Sequence, residues 1–175
     1  MTLKSCKIFA IAALIVGIAF LSFTQTSCGI YRFKDVSIPD SVNIVKVNQF
    51  QNTASYVNPS LAPELTDKLR QKIVSQTKLR QTNGDDADWE ISCKITSYSF
   101  STSGISNQQV NTNRLNVGVR VEVKDKHTQK TEKYDVTTPF DYSGTMTLQQ
   151  AEQGLHTQML RDIPDAIFNR IFSNW

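Results

Sequence analysis

The chain has little of what catalytic and metal centres are built from: 2 histidines, 3 cysteines and 7 glycines in 175 residues. Neither His127 nor His156 has a Cys, His or carboxylate at metal-ligand spacing. There is no Gly-x-Gly-x-x-Gly, no P-loop and no Gly-x-Ser-x-Gly, so Gly-rich phosphate cradles and the nucleophile elbow are excluded. The acidic pair Asp85-Asp86 lacks the further oxygen ligands of an EF-hand loop. No cofactor is expected, and the residue types point to a scaffold or binding module rather than an enzyme. No internal repeat occurs.

Long apolar runs are also scarce. The one candidate, Ile8 to Phe23, is sixteen uncharged residues preceded by Lys4 and Lys7 and followed by Thr24, Gln25 and Thr26. A membrane-crossing helix needs about 20 apolar residues and is commonly closed by a basic cluster, so cleavage of this segment as a secretory signal is the better expectation. It ends at Thr26-Ser27-Cys28-Gly29, where a small residue before a cysteine resembles a bacterial lipobox, with Gln25 in the place of the usual aliphatic residue. Residues 1–27 are therefore expected to be a lipoprotein signal, with Cys28 the acylated N-terminus; the alternative is a retained single-pass anchor. Either way the chain is held at a membrane. Each buried methylene of an acyl chain contributes about 0.8 kcal/mol, so two or three chains hold stably where one holds marginally. Gly29 lacks the Asp that resembles an inner-membrane retention signal, which favours the outer membrane.

Cleavage removes Lys4 and Lys7, leaving 17 basic against 16 acidic residues, a balance of +1 that does not suit nucleic-acid binding. The 148 residues that remain suit one domain with one ordinary core. With Cys6 lost and Cys28 acylated, Cys93 has no partner for a disulfide, so stability must come from packing. It lies in the alternating run Trp89, Ile91, Cys93, Ile95, and reads as a small buried hydrophobe.

Residues 28–40 form a short lead containing Ile30, Tyr31 and Phe33, expected to pack onto a domain of residues 41–175. Ser41 to Phe50 reads as a first strand with apolar residues on both parities, which implies burial on both faces or a bulge. A helix follows from Asn58-Pro59 or Ser60, with Leu61, Leu65, Leu69 and Ile73 in one stripe and Val74 beside it. Five cations, Lys68, Arg70, Lys72, Lys78 and Arg80, fall along and just after it and read first as a solvated face. Asn83-Gly84-Asp85-Asp86 is a turn.

Trp89 to Ser99 reads as a second strand, and a bulge near Thr96 would reconcile Trp89 to Ile95 with Tyr98 and Phe100 on the opposite parity. The polar stretch Ser101 to Asn113 suggests a mobile loop. Leu115, Val117, Val119, Val121 and Val123 then alternate with Asn116, Gly118, Arg120, Glu122 and Lys124, a strand with one core face and one wet face. Asp125 to Thr131 joins it as a hairpin to a fourth strand, Glu132 to Phe140. Thr147 with Gln150 three residues on is a capping box for a last helix whose stripe runs Leu148, Ala151, Leu155, Met159, Ile163, Ile167, Ile171. Pro164 should kink or divide it, because proline there costs about 3 kcal/mol. Phe168, Phe172 and Trp175 add a second ridge.

The predicted fold class is α+β: a four-stranded, mainly antiparallel sheet with two helices packed on one face, in the order β-α-β-β-β-α. That order, with Cys28-Gly29-Ile30-Tyr31-Arg32-Phe33, Asn58-Pro59-Ser60-Leu61 and the ending Ile167-Phe168-Asn169-Arg170-Ile171-Phe172-Ser173-Asn174-Trp175, resembles the LptE family of lipopolysaccharide-assembly lipoproteins. The resemblance covers essentially the whole mature chain. It implies a lipoprotein on the periplasmic face of the outer membrane, seated as a plug inside the β-barrel translocon LptD and binding lipopolysaccharide. A lipoprotein of similar architecture with a different partner is the alternative, and a membrane-tethered enzyme a third reading. Among the cations, Arg120 and Lys124 on the wet parity of the third strand are the candidate lipopolysaccharide contacts, with Lys126 in the turn beyond; a sheet holds side chains in fixed relation, and Arg suits bidentate phosphate contact.

Cys28→Ala is expected to leave an uncleaved precursor, whereas the natural chain should begin at an acylated Cys28. Intact-mass spectrometry of the membrane fraction checks both, and an unmodified Cys28 inside a continuous chain would contradict the lipoprotein reading.

Overall fold

The computed structural model describes residues 38–173 apart from 57, 107 and 108, and the side chains of residues 103–111 are left aside. The expected signal, Cys28, the lead as far as residue 37 and Trp175 lie outside the described residues. The elements are β1 (Ile44–Val47), β2 (Gln51–Asn52), α1 (Leu61–Gln76), β3 (Arg80–Gln81), β4 (Trp89–Ser106), β5 (Gln109–Asp125), β6 (Thr131–Ser143) and α2 (Leu148–Phe172). The sheet is ordered β3-β1-β4-β5-β6, with β2 also paired to β4.

The class is α+β, as expected, but the sheet is mixed and has six strands rather than four. β1 runs parallel to both β3 and β4, and β2 is parallel to β4. Only β4, β5 and β6 form the antiparallel part. The physical reason is length: β2 and β3 are two residues each, too short to display a period of two, and they exist because neighbouring strands offer them hydrogen bonds. The parallel pairing follows because α1 returns the chain to the end of the sheet where β1 began. Between β1 and β2 the expected bulge is present. Val47 pairs with Ile91 and Gln51 with Lys94, so the first strand spends four steps where β4 spends three. Val42, Val45, Val47 and Phe50 are all buried. At the start of β1, Asp88 accepts the amides of Asn43 and Ile44 at 2.8 and 2.9 Å, and these bonds hold its carboxyl below the ordinary carboxylate range.

β4 and β5 carry the core. Trp89, Ile91, Cys93 and Ile95 are buried, and the register slips by one residue between Ile95 and Ser97, so the bulge falls at Thr96 and Tyr98 also turns inward. Gly118 lies opposite. A Cβ there would meet the Ser97 hydroxyl, which would have to rotate aside to make room. Leu115, Val117, Val119, Val121 and Val123 are all buried, as their alternation predicts. The predicted loop at Ser101 to Asn113 is instead strand: β4 continues to Ser106 and β5 begins at Gln109. Polar composition misled here because backbone hydrogen bonds, which are blind to side-chain polarity, carry this hairpin beyond the core. At about 3.3 Å per residue, the 17 residues of β5 span about 55 Å.

The helices cover one face. In α1, Ser60 is the N-cap and Pro63 lies in the first turn, where its missing amide has no intrahelical duty. Leu61, Leu65, Leu69 and Ile73 face the sheet, while Val74 is exposed. In α2 the capping box is complete: Thr147 accepts from the Gln150 amide while the Gln150 side chain accepts from the Thr147 amide. Pro164 does not divide α2, which remains one 25-residue helix. The buried Ile163, Ile167, Phe168 and Phe172 around it supply packing that offsets the lost hydrogen bond. Both helices run the same way, as the contacts Glu64 to His156 (2.9 Å) and Lys72 to Asp165 (2.6 Å) show. Phe172 stacks on Trp89 at 6.2 Å, closing the end of the domain where Asn43 meets Asp88.

Val119→Asp should unfold the domain or nearly so. It places an unpaired carboxylate on the buried face of β5, costing several kcal/mol against a total stability of about 5 to 15 kcal/mol. An unchanged melting temperature would refute the burial.

Candidate functional site

The face of the sheet away from the helices carries rows of charge set by strand register. β5 presents Arg114, Arg120, Glu122 and Lys124, and β6 presents Asp141, Asp135 and Lys133 opposite the first three. These pair across the strands: Arg114 with Asp141 at 2.6 Å, Arg120 with Asp135 at 2.8 Å, and Glu122 with Lys133 at 3.5 Å. Arg120 grips its partner with two nitrogens, the second at 3.4 Å. The Asp135 carboxylate holds the Arg120 guanidinium further into its charged form.

On the other side of β5 the row continues to β4. Lys94 is the direct partner of Arg120, and Glu90 of Lys124. Two cations thus face each other across an antiparallel pair, with Asp135 on Arg120 and Glu122 near both offsetting part of the repulsion. Lys94 also borders a cleft of about 390 Å³ at the break between β1 and β2, walled by Asn48, Gln49, Gln51, Ser92 and Glu122. Asn48 Nδ2 donates to Glu90 and to Ser92 Oγ and keeps that wall ordered. Neither Lys94 nor Lys124 has an ion pair among the described residues. The two sequence candidates, Arg120 and Lys124, are therefore together on one exposed face, and Lys94 joins them. Lys94 was not legible as a third member. Its alignment depends on the β4–β5 register, which is set across 26 residues of sequence by the bulge and the hairpin.

The cations along and after α1 divide differently. Arg70 donates to the Val47 carbonyl at 2.7 Å, and Lys72 is tied to Asp165 and lies 5.5 Å from the Phe168 ring, so both serve the fold. Lys68, Lys78 and Arg80 are exposed. His127 meets Asp88 and His156 meets Glu64, each at 2.9 Å, and no metal-holding group of His, Cys, Asp and Glu occurs among the described residues. Burial pushes the Cys93 thiol up to about 12, as befits a core residue without thiolate chemistry. Among the described residues no helix is long and apolar enough to cross a membrane.

The described residues thus form an α+β domain with a charged open sheet face. The comparisons give its family. Residues 42–171 match the family model for LptE, lipopolysaccharide-assembly, and the chain belongs to that family. Its fold is similar to a minor lipoprotein from Acinetobacter baumannii (TM-score 0.50, 17% identity, 75% of this chain and 93% of that one). It is also similar to an uncharacterized lipoprotein B from Nitrosomonas europaea (TM-score 0.54, 14% identity, 75% and 83%). The comparison with curated proteins found no match.

Lys94→Gln should raise the melting temperature slightly at low salt by removing one of two facing cations, with the gain fading as salt screens the pair. A lower melting temperature in thermal scans would show that the ammonium is held by partners of its own.

Proposed function

We propose that this member of the family is an acylated outer-membrane lipoprotein that plugs an LptD-type β-barrel and binds lipopolysaccharide on its periplasmic side. In this reading residues 1–27 are removed, Cys28 carries the acyl chains, residues 28–40 lead from the membrane, and residues 41–175 form the working domain. The role is assembly and binding, with no catalytic step. The observation that carries the lipid-binding part is the set Lys94, Arg120 and Lys124 on one rigid face. Lipopolysaccharide presents phosphates, and a phosphate placed between Lys94 and Arg120 relieves the repulsion between them while replacing or sharing Asp135 as the guanidinium's bidentate partner. Lys124, four residues along the same strand and on the same face, extends the positive field without competing for that position.

Replacing Lys94, Arg120 and Lys124 together with Ala is expected to weaken lipopolysaccharide binding roughly tenfold at about 0.05 M salt, and less at about 0.5 M. Lys68, Lys78 and Arg80 changed to Ala serve as the control and should bind as the natural chain does. Equal binding by the sheet variant with its fold intact rules the face out. For the barrel, affinity purification from detergent-solubilised outer membrane should recover a large β-barrel in equimolar amount, and its absence assigns the chain a different partner.

A further inference from the structure

At the end of the domain opposite Trp89 and Phe172, the N-termini of α1 and α2 lie side by side and border an open cleft of about 370 Å³. Its walls are Asn58 and Ser60 from the start of α1, and Gln149, Glu152, Gln153 and His156 from one face of α2. Their spacing of three, four and seven puts the α2 residues in a single stripe. Glu152 is the hinge of the arrangement. One carboxylate oxygen accepts the Tyr98 hydroxyl at 2.8 Å and the other accepts the Tyr56 hydroxyl at 3.0 Å. Tyr56 stacks on Tyr98 at 5.4 Å, meets Phe100 edge-on at 6.3 Å, and is 40% exposed. The result is a polar trough beside an aromatic wall that is anchored to it through Glu152.

The lining chemistry excludes several ligand classes. It contains no lysine or arginine and it does contain a carboxylate, so a phosphate is disfavoured there. None of the six lining side chains is a hydrocarbon, which disfavours an acyl chain, and the aromatic surface of Tyr56 lies beside the lining, joined to it through Glu152. What remains is a set of planar groups that donate and accept together. Asn58 Oδ1 is occupied by the Ser60 amide and hydroxyl, which leaves its NH2 available. The Gln149 and Gln153 carboxamides have no protein partner among the described residues. His156 uses Nε2 on Glu64 and keeps Nδ1. Each Glu152 oxygen accepts one hydroxyl and can accept another. Neighbouring ring hydroxyls of a sugar pair naturally with such carboxamides and carboxylates, and the C–H face of a pyranose packs on an aromatic ring. The volume falls within the range of small-ligand clefts, about 300 to 1,000 Å³.

We propose that this cleft is a saccharide-binding subsite that takes one or two neutral pyranose units, with Gln149, Gln153 and Glu152 bonding ring hydroxyls and Tyr56 supplying the stacking wall. The subsite is separate from the cation face, and it stands whether or not that face binds lipid. Its ligand is either a sugar of lipopolysaccharide or a free saccharide, and the two are separated by probe.

The test is saturation-transfer NMR on the full-length chain in detergent, with maltotriose in one arm and the core oligosaccharide released from lipopolysaccharide in the other. Binding of the core oligosaccharide alone assigns the subsite to lipopolysaccharide, and binding of both assigns it to saccharides generally. In either case Gln149→Ala with Gln153→Ala, and separately Tyr56→Ala, should reduce binding at least fivefold, while Tyr56→Phe keeps most of it and the sheet variant at 94, 120 and 124 keeps all of it. The proposal is overturned if neither saccharide binds the natural chain, if inorganic phosphate displaces the sugar, or if the cleft variants bind undiminished while their circular dichroism is native.

Discussion

The register between β4 and β5, with the extra residue at Thr96 opposite Gly118, is the constraint on which the core and the charged face depend. Side chains on a strand alternate between faces, so one inserted residue exchanges the faces of everything beyond it. Trp89 to Ile95 and Tyr98 can face the helices together only because of that insertion. The same shift sets the rows on the other face, where Lys94 comes opposite Arg120. Gly118 lies opposite the bulge, where a Cβ would meet the Ser97 hydroxyl and oblige it to turn aside. Core composition and surface charge are two readings of one register.

The helices give the domain a polarity. α1 and α2 run the same way, so both N-termini gather at the end with Tyr56, Tyr98 and Glu152, and both C-termini at the end with Trp89. Ile38 enters near the second end, packed against the core. The charged sheet face runs between the two. The domain keeps its cations on the sheet face and its carboxamides beside the helix N-termini, and the two proposed ligand chemistries, phosphate and sugar, call on those surfaces separately.

Much of the fold was legible in the residues. The alternation Leu115 to Val123, the stripe Leu61 to Ile73, the Thr147–Gln150 box and the bulge at Thr96 each follow from local periodicity or local hydrogen bonding, which a chain carries in its own order. Three features were not. β2 and β3 are too short for any pattern, the hairpin past Phe100 is polar yet paired, and Pro164 sits in a helix that stays whole. For β2, β3 and Pro164, partners distant in sequence supply the bonds or the packing that decide the matter, whereas the hairpin pairs with itself through backbone bonds that leave no mark in side-chain polarity.

The sites divide along the same line. Sequence by itself determined that Arg120 and Lys124 share the wet side of one strand and that Cys93 belongs to a core, because alternation is a property of consecutive residues. It also carried the family likeness, which the match over residues 42–171 shows. Tertiary structure alone decided that Asp135 pairs with Arg120 while Lys94 confronts it. It alone committed Arg70 and Lys72 to the Val47 carbonyl and Asp165, and joined Tyr56, Tyr98 and Glu152 across 96 residues. The reason is physical: ion pairs and hydroxyl bonds are made at about 3 Å, and only the folded register and helix packing set which distant groups come that near.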